Sequence, residues 1–233
     1  MTISKAAPTI DSVSPKQKLT VMIFYRGHWC PFCSAHTKEL NGEFRKKIEA
    51  MGGKLYGVTS EDDDGIKISQ DKWGLDYELL SDRSLELAKR YGVFITPGKD
   101  AHGGIEKYPD GMSQPAVVAI DQTGKMIFKW AIVPSEMNMG GAVDRPLTKD
   151  LLESIEKGLA GDSMVELKVA KNGKVDIEFV SKNSKVYAEE HQMILNYMAA
   201  MKKWGIPVES KALRRRMKQG YNNNRSDTTR NRK

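Results

Sequence analysis

Two cysteines three positions apart, directly behind a short apolar run, constrain this chain more than any other feature. Residues 19–25 carry Val21, Ile23 and Phe24, β-formers in an apolar stretch, and predict a buried strand. Residues 34–51 place Leu40, Phe44, Ile48 and Met51 at spacings of three and four, which predicts a helix stopped by Gly52 and Gly53. Cys30 and Cys33 therefore sit where a strand hands over to a helix. They are the only two cysteines among 233 residues. A secreted disulfide scaffold uses more, at wider spacing, and a loop this small gains little as a staple. Redox chemistry and half of a metal site remain. A structural zinc needs about four Cys or His ligands. With His28, His36, His102 and His191 as the available histidines, the redox reading is favoured and no metal is assigned.

The chemistry follows from the placement. A thiol at the start of a helix meets free N–H groups and the positive end of the dipole, both of which favour the thiolate nucleophile. A second thiol one turn on attacks the resulting mixed disulfide and releases product. Pro31 suits the first helical turn, where its missing N–H is not needed. His28 and His36 either lower a thiol pKa or are solvated surface histidines. Trp29 either packs on the site or belongs to the core.

The rest of the chain alternates strands and helices. Residues 54–59 predict a second strand. The acidic run Glu61 to Asp64 reads as a solvated helix cap, against the alternative of a metal cluster. Helix is expected at 66–73, a short strand at 77–80, and helix at 84–91 closed by Gly92. Residues 97–112, rich in Gly, Pro and charge, read as a loop. A strand at 115–120, a turn at 121–124 and a strand at 125–133 form a hairpin. Residues 134–146 read as an irregular loop, in which Met137, Met139, Gly140 and Gly141 either edge a substrate groove or lie on plain surface. A helix is expected at 148–159. This order, with a CxxC behind the first main strand, predicts an α/β thioredoxin-like fold: a central mixed sheet flanked by helices.

Beyond Gly161 the pattern changes. Val165, Leu167 and Val169, then Val175, Ile177 and Phe179, alternate with polar residues around Asn172-Gly173, a hairpin signal. A helix is expected at 186–204. The domain reading is a catalytic unit at 1–160, a hairpin–helix extension at 161–210 and a basic, disordered tail at 211–233. That tail holds nine Lys/Arg and one acid, so the net charge of +7 belongs to it rather than to the catalytic body. Clustered basic residues admit contact with a polyanion, or a merely solubilising role. No apolar run approaches the ~20 residues of a membrane span, and residues 1–18 lack the apolar segment of a signal peptide. A cytoplasmic location without membrane association is expected. No Gly-rich fingerprint follows a strand, so neither flavin nor nicotinamide is expected and no cofactor is assigned.

The segment Phe24-Tyr25-Arg26-Gly27-His28-Trp29-Cys30-Pro31-Phe32-Cys33 resembles the active-site segment of the peroxiredoxin-like proteins of the alkyl hydroperoxide reductase/thiol-specific antioxidant family. Gly57-Val58-Thr59-Ser60, Leu80-Ser81-Asp82 and Ala119-Ile120-Asp121-Gln122-Thr123-Gly124 add weaker likeness, over roughly residues 15–160 in all. The resemblance implies a thiol-dependent oxidoreductase that reduces hydroperoxides or disulfides through Cys30 and Cys33. It leaves two registers open. In a thioredoxin register Cys30 attacks and Cys33 resolves. In a peroxiredoxin register Cys33 falls on the peroxidatic cysteine, Cys30 replaces that family's threonine and Arg26 its proline. Pro115 bears on the choice, since thioredoxins carry a cis-proline there; the plain alternative is an ordinary proline at a strand start. Trp29, Pro31, Phe32, Gln114 and Pro115 are the expected substrate-binding residues. Thioredoxin or glutathione is the expected type of reductant, the latter because Pro31-Phe32 is similar to glutaredoxins. The alternative function is a thioredoxin-like binding module with a non-catalytic CxxC, recruited to an assembly or nucleic acid through the tail.

Overall fold

A computed structural model of the protein describes residues 17–132, 145–161, 163–167 and 203. β1 (Leu19–Phe24) is buried along its whole length because it runs through the middle of a six-stranded sheet. It pairs in parallel with β2 (Gly53–Thr59), which pairs in parallel with β3 (Glu78–Ser81). On the other side it pairs antiparallel with β6 (Ala116–Asp121), and β6 with β7 (Met126–Ala131). A two-residue strand, β8 (Val165–Glu166), adds to β7 in parallel. The sheet order is β3-β2-β1-β6-β7-β8. This is the mixed, helix-flanked sheet of a thioredoxin-like fold.

Alternation along β1 divides the core. Leu19, Val21 and Ile23 face a cluster with Phe32, Leu40, Phe44, Ile48, Trp130 and Ile155. Met22 and Phe24 face a second cluster with Tyr56, Val58, Leu85, Leu87 and Val118. Each large apolar side chain buried in this way contributes roughly 1.5–3 kcal/mol. The helices supplying the clusters are α1 (Pro31–Leu40), α2 (Glu43–Ala50), α3 (Asp63–Trp73), α4 (Glu86–Arg90) and α6 (Thr148–Ala160).

One helix was expected over 34–51, and two are present. The ladder breaks at Asn41-Gly42, where Gly42 takes ψ −119°. The Asn41 side chain is drawn outward: its Oδ1 accepts from Asp76 N at 2.9 Å and its Nδ2 donates to the Gly74 carbonyl at 3.3 Å. The expected loop at 97–112 is also partly ordered. It holds a 3-10 turn (Gly98–Asp100) and α5 (Gly104–Lys107), and is closed by β4 (Ile95–Thr96) pairing antiparallel with β5 (Met112–Ser113). Asp82 caps α4 by accepting the Leu87 and Ala88 N–H groups at 3.0 and 2.8 Å, and Asp121 closes the β6–β7 turn by accepting from Thr123 and Lys125. These two motif residues are structural.

The hairpin around Asn172-Gly173 beyond β8, the tail at 211–233 and the loop bearing Met137, Met139, Gly140 and Gly141 lie outside the described residues. So does the helix expected at 186–204, except that residue 203 is helical. Among the described residues no helix is long and apolar enough to cross a membrane.

Candidate active site

The backbone leaves β1 through Tyr25, whose N–H still donates to the Val58 carbonyl at 2.9 Å. It then runs past Gly27 to Cys30. Cys30 is the N-cap of α1, with extended φ and ψ of −84° and 106°, and its Sγ accepts the Cys33 N–H at 3.2 Å. Pro31 occupies the first turn and is exposed. Both cysteines are free thiols with at most 1% relative exposure.

Two arginines set the charge around the sulfurs. Arg145, just ahead of α6, donates from Nη2 to Cys33 Sγ at 3.7 Å, and its guanidinium lies over the Trp130 ring at 5.8 Å. Arg26 is buried, and its Nε donates to Gln114 Oε1 at 2.8 Å. Gln114 Nε2 donates in turn to Thr96 Oγ1 at 2.7 Å. Burial alone raises the Cys33 thiol; the Cys30 hydrogen bond, Arg145 and Arg26 outweigh it and bring Cys33 down to about 6. Burial and the neighbouring Cys33 push Cys30 upward. These surroundings favour the charged form at Cys33 and the protonated form at Cys30.

The far side of the segment rests on Glu61, whose side chain is fully buried. Its Oε2 accepts the His28 N–H at 2.7 Å, and its Oε1 pairs with His28 Nδ1 at 2.9 Å and Lys107 Nζ at 3.0 Å. Tyr108 Oη is 3.2 Å from Glu61 Oε1 and from the Arg26 carbonyl, and it accepts the Trp29 Nε1–H at 2.9 Å. Burial and the adjacent carboxylate keep Tyr108 a neutral phenol. Gly27 leaves room for this cluster: a Cβ there would fall 2.6 Å from Glu61 Oε1 and 2.7 Å from Trp29 Nε1, so those side chains would have to shift.

Several expectations change. Glu61 is not part of a solvated cap. Asp62 caps α3 through Gly65 N at 3.0 Å, whereas Glu61 turns inward as the hub of an ion-pair cluster. His36 is not a solvated surface histidine; it is buried, and its Nδ1 lies 3.3 Å from Arg145 Nη1. The Gln114–Pro115 bond is trans, so the cis-proline of a thioredoxin register is missing; Pro115 is buried directly ahead of β6. Phe32 is buried in the same cluster as both sulfurs. Trp29 packs against that cluster half-buried, its ring centroid 4.2 Å from that of His102 with the planes tilted by 31°. Gln114 approaches the site through Arg26. Arg145, Tyr108 and Lys107 were not singled out from the sequence. Arg26 carries the one local signal, a charged residue closing an otherwise apolar strand.

Two thiols three positions apart at the strand-to-helix corner of a thioredoxin-like sheet are the arrangement of a thiol-dependent oxidoreductase. The chain belongs to the AhpC/TSA family, which it matches over residues 6–129. Among solved structures, similar folds include Enterococcus faecalis AhpC (15% identity, TM-score 0.47, 63% of this chain and 76% of that one). A Xanthomonas campestris peroxiredoxin Q (14%, 0.47, 65% and 85%) and the reduced Plasmodium vivax 2-Cys peroxiredoxin (17%, 0.46, 63% and 80%) are similar to the same degree. No curated protein matches the chain.

The charge split has a direct readout. Thiolate absorbance of the reduced protein is expected to rise with a midpoint near pH 6. Below that midpoint, reaction of Cys33 with an alkylating agent should fall about tenfold per pH unit, because only the thiolate attacks. A first midpoint at the ordinary thiol value of about 8.5 contradicts the assignment.

Proposed function

We propose that the protein is a thiol peroxidase in which Cys33 attacks and Cys30 resolves. The observation that carries this is the Arg145 guanidinium on Cys33 Sγ, with Cys30 Sγ against the Cys33 N–H. The Cys33 thiolate attacks the distal oxygen of a hydroperoxide; an S–O bond forms as the O–O bond breaks, giving a sulfenic acid, and the displaced alkoxide takes up a proton from solvent as the alcohol. The Cys30 thiol then attacks the sulfenic sulfur, water leaves, and a Cys30–Cys33 disulfide forms. An external dithiol of thioredoxin type, or glutathione, returns the pair to its starting state. We propose Trp29, Pro31, Phe32, Gln114 and Pro115 as the residues around the bound substrate, with Gln114 acting through Arg26.

We assign catalysis to residues 1–160, with 161–210 as an extension and 211–233 as a basic segment suited to a polyanion. A reducing cytoplasmic setting suits a pair that has to be re-reduced. The test is one equivalent of hydrogen peroxide added to reduced protein. Two thiols per chain should disappear together, and peptide mapping should recover Cys30 bonded to Cys33. Loss of thiol no faster than from a free cysteine would reject a dedicated peroxidase.

A further inference from the structure

Arg145 reaches Cys33 from far along the chain, so something has to hold its guanidinium in place. One contact draws the start of α6 toward α1: Thr148 Oγ1 donates to Glu39 Oε1 at 3.0 Å. Lys203 Nζ, from further along the chain, lies 3.6 Å from Glu39 Oε2. Neither touches the guanidinium. His36 does, through Nη1 at 3.3 Å. It follows Cys33 by three positions on α1, so both side chains point to one side of the helix. Trp130 backs both groups: its ring lies under Arg145 and meets His36 edge-on, with centroids 6.0 Å apart.

The chemistry of this contact is restrictive. Arginine only donates, so His36 Nδ1 has to offer a lone pair, and the imidazole proton has to be on Nε2. Usually the partner of one ring nitrogen decides what the other does. His36 Nε2 is buried and makes no hydrogen bond among the described residues, so Arg145 itself selects the tautomer. With Nη1 on the histidine and Nη2 on the sulfur, the planar guanidinium is fixed at two points. We propose that His36, as the neutral Nε2–H tautomer, is a positioning residue that holds Arg145 against the Cys33 sulfur. Burial, Arg145 and Lys203 all disfavour a second proton on His36. The Cys33 thiolate on the same helix face is the opposing charge.

This inference rests on Cys33 being the nucleophile, but its test needs no peroxide. Thiolate absorbance is titrated in a Cys30→Ser background, alone and with His36→Asn or His36→Leu. Asparagine places Oδ1 near the position of Nδ1 and keeps an acceptor; leucine fills similar space without one. The leucine variant should titrate about one pH unit higher and be alkylated several-fold more slowly at pH 6. The asparagine variant should stay within a few tenths of a unit of the parent. A folded leucine variant that titrates like the parent overturns the proposal. So does an equal shift in both variants, which is the mark of a packing role. Should the leucine variant fail to fold, nitrogen-15 spectra of the unsubstituted protein decide: an Nδ1–H tautomer at His36 overturns the proposal and an Nε2–H tautomer supports it. A protein inert to peroxide that still shows the leucine shift would lose the peroxidase reading and keep this one.

Discussion

Cys33→Ser is expected to abolish rapid peroxide consumption, whereas Cys30→Ser should retain a single fast turnover that stops at a Cys33 sulfenic acid. The asymmetry comes from the environments of the two sulfurs. At pH 7 a thiol brought to about 6 is mostly thiolate. Cys30, pushed upward by burial and by its neighbour, remains protonated. Even an ordinary thiol at about 8.5 would be only a few per cent ionised, so ionisation alone predicts a loss on the order of 30-fold or more in Cys33→Ser. Serine is the right probe at position 30. Its hydroxyl still caps α1 and still donates toward Cys33, so the first step is preserved while the resolving sulfur is gone. Stopped-flow peroxide consumption, with dimedone trapping of the sulfenic acid, reads both steps. A fast first turnover surviving in Cys33→Ser would move the nucleophile to Cys30.

Glu61→Ala should be the most damaging substitution to the fold near the site. It removes an acceptor for the His28 backbone, the His28 ring, Lys107 and Tyr108 at once. Breaking a buried pair by deleting one partner costs about 3–5 kcal/mol. His28 and Lys107 keep some access to water, at 22% and 31% side-chain exposure, so the lower end, about 3 kcal/mol, is expected. Urea unfolding at pH 7 measures it. Trp29 fluorescence should change as well, because the Tyr108 hydroxyl that receives its indole N–H loses an anchor. A loss below about 1 kcal/mol would mean that the cluster is not a structural hub. Glu61→Gln, which keeps the shape and one carbonyl acceptor for Tyr108, should cost less.

What could be read from the sequence was local. Strand, CxxC and first helical turn are contiguous, and residue type plus spacing identifies them. The β1, β2, β6 and β7 strands are apolar enough to announce themselves. The split between α1 and α2 was hidden because Leu40, Phe44 and Ile48 keep helical spacing across it; Gly42 was the available signal. Glu61 was hidden for a different reason. It stands first in a run of four acids, three of which are exposed as expected. Its partners His28 and Tyr108 lie 33 and 47 positions away. Arg145 is 112 positions from the sulfur it charges. No periodicity reports such distant meetings, which the parallel crossovers of the sheet and the placement of α6 create.

The Cys33 environment has a thermodynamic corollary. Arg26, Arg145 and the Cys30 hydrogen bond favour a negative charge on sulfur, and a disulfide has no such charge to be favoured. The Cys30 sulfur that caps α1 is likewise a better acceptor before it is bonded to Cys33 than after. Both preferences therefore lower the free energy of the dithiol form alone. Around a closed cycle of folding and oxidation, that selective stabilisation has to reappear as a higher reduction potential for the Cys30–Cys33 couple. In the proposed reaction, the arrangement that readies the sulfur for attack would also make the Cys30–Cys33 disulfide an oxidant, one that hands its disulfide on readily.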